Sequence, residues 1–328
     1  MLKRTVSCGL CLARLNTSLS NSLPLYAYCT LSSTQMNPSK KFTFSHILQK
    51  CSNLKALNRG KHAHAQMIVT GFVPTIYVAN CLLQFYCKSS NMNYAFKVFD
   101  RMPHRDVISW NTVIFGCAEI GNMGFAQSFF DTMPERDVVS WNSLLSCYLH
   151  NGVNRKSIEI FFRMRSLKIP HDYATFSVVL KTCSGIEDYG LGLQVHCLAI
   201  QMGFENDMVA GSALVDMYSK CKKLDDAFRI FREMPERNLV CWSAVIAGYV
   251  QNDRFIEGLK LFKDMLKVGM GVSQSTYASV FRSCAGLSAF KLGTQLHGHA
   301  LKSDFAYDSI IGTVTLDMYA KCDRMSDA

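Results

Sequence analysis

Two histidine pairs and one cysteine pair are the first places in this chain to look for chemistry. His62-Ala-His64 and His297-Gly-His299 carry imidazoles at a spacing that can hold a metal ion, and Cys8-Gly-Leu-Cys11 offers two thiolates. A zinc site needs more donors than either pair supplies, and no second cysteine pair stands at zinc spacing from Cys8 and Cys11. A zinc deaminase needs an HxE motif with a later CxxC, to activate water and shuttle its proton, and that set does not occur. No Walker A loop, GxSxG elbow or glycine-rich dinucleotide loop is present either. The sequence therefore predicts no catalytic residues, no metal and no cofactor. The histidines read as equivalent places in repeated units, with His196 in a third, and a recurring helix-packing element accounts for them better than zinc does.

A different kind of chemistry recurs along the whole chain. Small polar side chains and acids that can donate or accept hydrogen bonds return at fixed intervals. Val107-Ile-Ser-Trp-Asn111 is answered 31 residues later by Val138-Val-Ser-Trp-Asn142. Met102-Pro-His-Arg-Asp106 is answered by Met133-Pro-Glu-Arg-Asp137 and by Met234-Pro-Glu-Arg-Asn238. A fixed internal period signals stacked copies of one supersecondary unit. The chain divides without a gap into units 41–75, 76–106, 107–137, 138–172, 173–207, 208–238, 239–273 and 274–308, with a partial unit at 309–328. Complete units are 35 or 31 residues long.

The elements that must position these side chains are helices. Trp141, Leu144, Leu145 and Tyr148 fall at i, i+3, i+4 and i+7, and so do Trp242, Val245, Ile246 and Tyr249, and Trp110, Val113, Ile114 and Cys117. Asn151-Gly152 should break the first helix of its unit, and a second helix should follow with Ile158, Phe161 and Phe162 on its apolar face. Lys168-Ile-Pro-His should close that unit. One such hairpin cannot bury both stripes alone, whereas stacked hairpins share a continuous core. The expectation is an all-α fold, an α-solenoid superhelix of about 18 helices from residue 41 onward, two to each unit.

Two positions in each unit stand out. The last residue reads Thr75, Asp106, Asp137, Asp172, Asp207, Asn238, Ser273 and Asp308. Each precedes the next unit's first helix, where such residues are preferred N-caps, so capping alone could explain them. The fifth residue reads Ser45, Asn80, Asn111, Asn142, Ser177, Ser212, Ser243, Ala278 and Thr313. It lies beyond the cap, where Asn, Ser and Thr are middling helix formers. Small polar residues varying at one place on a fixed apolar frame suit a modular reader; an exposed polar face is the plainer alternative.

Composition narrows the setting. The net charge is +10, a modest balance that suits a polyanionic partner. Fourteen cysteines could suggest disulfides, but Cys51, Cys183 and Cys284 recur at one helical position, so a reducing compartment is the better reading. Residues 1–40 hold Lys3, Arg4, Arg14 and Lys40, many Ser and Thr, and no acid; the first acidic residue of the chain is Asp100. That composition marks an organellar transit peptide and leader, with early Arg4 and Arg14 favouring the mitochondrion over the plastid. Its apolar stretches are too short for a membrane span.

The units resemble pentatricopeptide repeats of the plant type that mixes 35- and 31-residue variants in a long, short and standard order. Val138-Val-Ser-Trp-Asn-Ser-Leu-Leu with Gly152, and Asp225-Asp-Ala-Phe-Arg-Ile-Phe-Arg-Glu-Met-Pro235, carry the likeness, which covers 41–328. Tetratricopeptide repeats keep a constant 34-residue period, which is not seen here. The resemblance implies a superhelix that binds single-stranded organellar RNA, one base to a unit. It implies base reading by the pairs Asn80–Asp106, Asn111–Asp137 and Asn142–Asp172 (uridine), Ser212–Asn238 (adenosine), and Ser177–Asp207 (guanosine, in a long-type unit where the rule is weak). Ser243–Ser273, Ser45–Thr75 and Ala278–Asp308 receive no assignment. Aliphatic second residues Ile108, Val139, Val209 and Val240 are implied to sandwich the bases. Similar proteins act mostly in cytidine-to-uridine RNA editing, with other proteins of an editing complex as partners. The chain stops inside its ninth unit, so editing chemistry is expected to lie beyond Ala328 or to come in trans. RNA stabilisation or translational activation by occupancy, and a protein-binding helical scaffold, stay open as alternatives.

Overall fold

The computed structural model describes residues 38–323, apart from 55, 205–206, 304 and 306. The transit peptide expected at 1–40 lies almost wholly outside the described residues, and the first helix begins at Pro38, inside the expected leader. Proline suits the first turn of a helix, where its missing N–H would have no partner.

Seventeen helices and no strand are present among the described residues. The last unit's second helix would fall at 324–328, outside them. The first helices of successive units are α1 (Pro38–Asn53), α3 (Ile76–Lys88), α5 (Val107–Glu119), α7 (Val138–His150), α9 (Tyr173–Ile186), α11 (Met208–Lys220), α13 (Leu239–Gln251), α15 (Gln274–Gly286) and α17 (Ser309–Lys321). The second helices are α2 (Leu57–Val69), α4 (Met92–Arg101), α6 (Met123–Thr132), α8 (Asn154–Ser166), α10 (Tyr189–Gln201), α12 (Leu224–Glu233), α14 (Phe255–Lys267) and α16 (Phe290–Leu301). Each first helix packs on the first helices before and after it. Each second helix packs on its own first helix and on the next unit's first helix, while neighbouring second helices meet through side chains, as in Phe96 on Phe125 and Phe129 and the Arg163–Asp131 ion pair. The closely spaced row forms the inner wall of the superhelix and the splayed row the outer one.

The two unit lengths arise in the second helix and the connection after it. In the 31-residue units α4, α6 and α12 are 10 residues long, against 13 for α8, α10 and α14. The repeated Met-Pro-x-Arg closes these short helices. Met102, Met133 and Met234 are buried C-caps in extended backbone, the conformation the following proline demands. Arginine then turns back onto the helix end. Arg136 Nε donates to the Phe130 carbonyl at 2.7 Å and its guanidinium lies 5.1 Å from the Phe130 ring centre. Arg105 on Phe99 and Arg237 on Phe231 repeat the brace. A cation on the free carbonyls of a last turn is favourable on both charge and hydrogen-bonding grounds.

Two sequence expectations are corrected. Phe162 is 44% exposed; the buried stripe of α8 is Ser157, Ile160, Phe161 and Met164, one register step away. The histidine pairs are not in register with one another. The equivalent residues are His64, His196 and His297, each bonded through Nδ1 to a tyrosine hydroxyl on the next first helix: Tyr86 at 2.8 Å, Tyr218 at 2.8 Å and Tyr319 at 3.1 Å. This clasp joins neighbouring units. No group of three or more His, Cys, Asp or Glu that could hold a metal occurs among the described residues. Cys117, Cys183 and Cys284 are buried core residues whose thiols burial pushes up to about 12. No helix among the described residues is long and apolar enough to cross a membrane.

The clasp has a pH consequence. Burial, with the Arg101 charge nearby, lowers the His64 pKa from 6.5 to about 4. Between those values the unfolded chain binds a proton that the folded chain refuses, so stability rises with pH across that window. The clasp's contribution is complete above pH 6.5 and is lost as pH falls toward 4. Thermal melts should fall over that range by an amount worth on the order of 1–2 kcal/mol for a partly exposed ring. His64→Gln, which cannot titrate, should flatten the slope; an unchanged slope would sink the assignment.

Candidate nucleic-acid interface

The N-termini of the inner helices carry the residues singled out by the repeat. Asp106, Asp137, Asp172, Asp207, Asn238, Ser273 and Asp308 each accept a backbone N–H from the helix they precede. Thr75 precedes α3 without such a bond, and its hydroxyl is buried and unpartnered. The last residues are therefore caps, whatever else they do, and they lie at or near the surface.

Apart from Thr313, the fifth residues are buried or half-buried and do not form an exposed polar face. Asn80, Asn142 and Ser177 are 8%, 8% and 6% exposed, tucked between successive inner helices. Several reach the last residue of their own unit. Asn80 Nδ2 donates to Asp106 Oδ1 at 3.0 Å, Asn142 Nδ2 to Asp172 Oδ1 at 2.9 Å, and the Ser243 and Ser273 hydroxyls are 3.0 Å apart. The Ser109 hydroxyl, with one proton to give, lies 2.7 Å from Asn80 Oδ1 and 2.8 Å from Asp106 Oδ1. Thr175 holds Asn142 and Asp172 in the same way. Burial pushes the Asp106 and Asp172 carboxyls up, but the donated N–H and O–H bonds outweigh it and hold both below the usual carboxylate range. Both are acceptor-only carboxylates at neutral pH.

The three Asn–Asp pairs are alike in sequence but not in geometry. No hydrogen bond joins Asn111 to Asp137 among the described residues, and Asn111 Oδ1 is buried without a partner. Asp137 caps α7 through Ser140 alone. Ser212 turns to the Met208 carbonyl and the Cys241 thiol, while the Asn238 amide faces the Met208 sulfur. Asp207 caps α11.

The second residues complete the surface. Ile108, Val139, Val209 and Val240 are 63%, 57%, 45% and 60% exposed. Tyr77 and Ile310 occupy the same place and are also exposed; sequence reasoning did not single them out, though their position in the unit could have. A lone exposed aliphatic residue is ordinary, but a row of them at one register position is a surface prepared for flat apolar partners. Between successive second residues lie a capping acid or amide and a half-hidden polar side chain. This wall can stack planar groups and offer each one a short hydrogen-bonding edge.

Repeat models match this pattern directly. A PPR repeat model matches residues 77–107, 108–138, 139–169 and 212–239, and a PPR repeat family model matches 237–286, together about half of the chain. The chain belongs to the pentatricopeptide repeat family. It is 53% identical over 93% of its length to the pentatricopeptide repeat-containing protein At3g02330, mitochondrial, of Arabidopsis thaliana, spanning 34% of that protein. It is 40% identical over 87% of its length to At2g13600 of the same plant and family, spanning 41% of it. The chain thus spans about a third to two fifths of these relatives' length. Among solved structures, the pentatricopeptide repeat protein PPR10 in complex with an 18-nt psaJ RNA element superposes with a TM-score of 0.67 at 18% identity, covering 88% of this chain and 44% of that one. At that identity the likeness establishes the shared pentatricopeptide solenoid.

Proposed function

We propose that this pentatricopeptide array binds single-stranded RNA in sequence-specific fashion along its inner wall. The row of exposed second residues beside paired fifth and last residues carries the reading. The bases stack on Tyr77, Ile108, Val139, Val209, Val240 and Ile310, and their edges meet the polar pairs. The order of pairs favours three uridines at Asn80–Asp106, Asn111–Asp137 and Asn142–Asp172, then a step at Ser177–Asp207 whose guanosine preference is weak in a long-type unit, then adenosine at Ser212–Asn238. Ser243–Ser273 contributes contact without a base assignment. A solved relative of the same fold is complexed with RNA, which supports an RNA partner. The test is binding of a matched oligonucleotide and a scrambled one across a salt series. Salt-dependent affinity with preference for the match is expected, and equal binding of both would return the array to the protein-scaffold alternative.

Within that reading we infer that the array serves the mitochondrion as a site-recognition factor for cytidine-to-uridine editing, of the mixed long and short unit type. The mitochondrial names of four relatives support the compartment, as does the acid-free leader composition at 1–40; another relative is named chloroplastic. Occupancy-based stabilisation or translational activation is the alternative. The chain carries no HxE with a later CxxC, so the purified 328-residue chain should leave cytidine unchanged in any bound RNA. Uridine formed by the chain alone, scored by sequencing after incubation, would overturn that expectation.

A further inference from the structure

A second surface opens on the side of α3 opposite its packing against α1 and α5, and it reaches Thr75 and Ile76 at the helix entrance. Between α2 and α4, over the side of α3, opens a cleft of about 730 Å³. Its floor is Ala79, Leu82 and Tyr86, all buried, and its upper wall is Ile68, Val69, Val73 and Ile76. Val69 is 86% exposed and Val73 58%, so these aliphatic side chains face solvent beside a ready-made apolar trough. The rim is basic. Lys61, Lys97 and Arg101 line it, with His64 and His104, and no acidic residue does. Lys61 and Lys97 lie 5.2 and 5.8 Å from the centre of the Tyr94 ring, which stacks on Tyr86. None of the three cations enters an ion pair among the described residues.

The chain contains its own control. Units 173–207 and 208–238 repeat the 35-to-31 junction of units 41–75 and 76–106, including the clasp, with His196 on Tyr218 for His64 on Tyr86. There the residues in register with Tyr94, Lys97 and Arg101 are Asp226, Arg229 and Glu233. The two acids bear on His196 in the opposite sense to Arg229, whereas His64 feels Arg101 alone. The basic rim is therefore a property of the first junction, not of the repeat.

We propose that the α2–α4 cleft docks an acidic amphipathic helix of a protein partner. An apolar ridge at i, i+3, i+4 and i+7 would cover Ile68, Val69 and Val73, and flanking carboxylates would meet Lys61, Lys97 and Arg101. RNA suits the rim but not the floor, because a phosphate backbone has no ridge to bury there. The chain's own first 37 residues hold three basic and no acidic side chains, the wrong sign for this rim.

The probe is a fluorescein-labelled helix of roughly 18 residues with a leucine ridge and glutamate flanks, beside a twin with lysine flanks. Anisotropy titrations on the full chain should show binding of the glutamate helix and none of the lysine twin. Val69→Asp and the double variant Lys97→Glu, Arg101→Glu should each weaken the glutamate helix by about tenfold or more, and Val69→Leu should not. All these positions are exposed, and circular dichroism spectra matching wild type would verify the fold. Matched single-stranded RNA should bind Val69→Asp as it binds wild type. No binding of the glutamate helix, or binding indifferent to both cleft variants, overturns the proposal. So does a loss of RNA binding in Val69→Asp equal to the loss of peptide binding, which would make the cleft part of an RNA track.

Discussion

The double variant Asn111→Ser, Asp137→Asn should prefer adenosine where the wild-type chain is proposed to read the middle of three uridines. The substitution installs at one unit the pair that Ser212 and Asn238 already form in another. The cap survives, since Asn238 accepts the Cys241 N–H at 3.0 Å in the role Asp137 plays toward Ser140. Removing the Asn111 amide also removes a buried carbonyl oxygen with no partner, so the fold loses no hydrogen bond there. What changes is the edge offered to the base: an acceptor-only carboxylate becomes an amide that also donates. Affinity for the uridine RNA should drop by about 1–3 kcal/mol, the usual value of one base-edge contact set, while the adenosine RNA gains. Asn111–Asp137 is the best of the three pairs to alter, because the amides of Asn80 and Asn142 are already spent on Asp106 and Asp172. Titrations of both proteins against matched oligonucleotides at one salt concentration decide the matter. Identical ranking of the two RNAs would reduce these residues to caps and packing groups.

Phe130→Ala should be the most damaging single change, costing about 3–5 kcal/mol, the range for emptying a buried aromatic site. Phe130 is fully buried, meets Trp141 edge-on at 4.8 Å, and supports the Arg136 brace through its ring and its carbonyl. Truncation opens a cavity between units 107–137 and 138–172 and removes the ring beneath the Arg136 guanidinium, leaving that arginine only its bonds to the backbone carbonyls. Because stacked units are stabilised by their neighbours, the loss should concentrate at that junction, and urea unfolding should separate into an earlier and a later phase. Trp141 fluorescence should follow the earlier phase. A midpoint shift worth less than about 1 kcal/mol would show that the site collapses or that the brace carries little.

How much could be read without coordinates varies from residue to residue. Helix starts at Val107, Val138 and Leu239 follow from a capping residue ahead of an apolar stripe, and both signals are local. Proline ends the short second helices at Met-Pro-x-Arg by acting on its immediate neighbours, the same local rule that closes a unit at Lys168-Ile-Pro-His. What arginine did there was not legible, since it folds back on carbonyls five and six residues earlier. The Phe162 error has the same origin. Adjacent phenylalanines satisfy a helical stripe equally well, and only the neighbouring helix selects Phe161.

The sequence by itself determined the all-α class, the stacked hairpins and the residues that recur at each helix entrance, because period, capping and helix breaking are set within a few residues of one another. Only the tertiary structure decided which of three identical Asn–Asp pairs stays open. It also decided that His64, His196 and His297 are the equivalent histidines, and that the basic side chains of α2 and α4 rim a single cleft. Each of those outcomes depends on contacts some 20 to 40 residues apart, across the length of a unit for the Asn–Asp pairs and between one unit and the next for the clasp and the cleft. There the turn of one hairpin against its neighbour, rather than the local pattern, sets which groups meet.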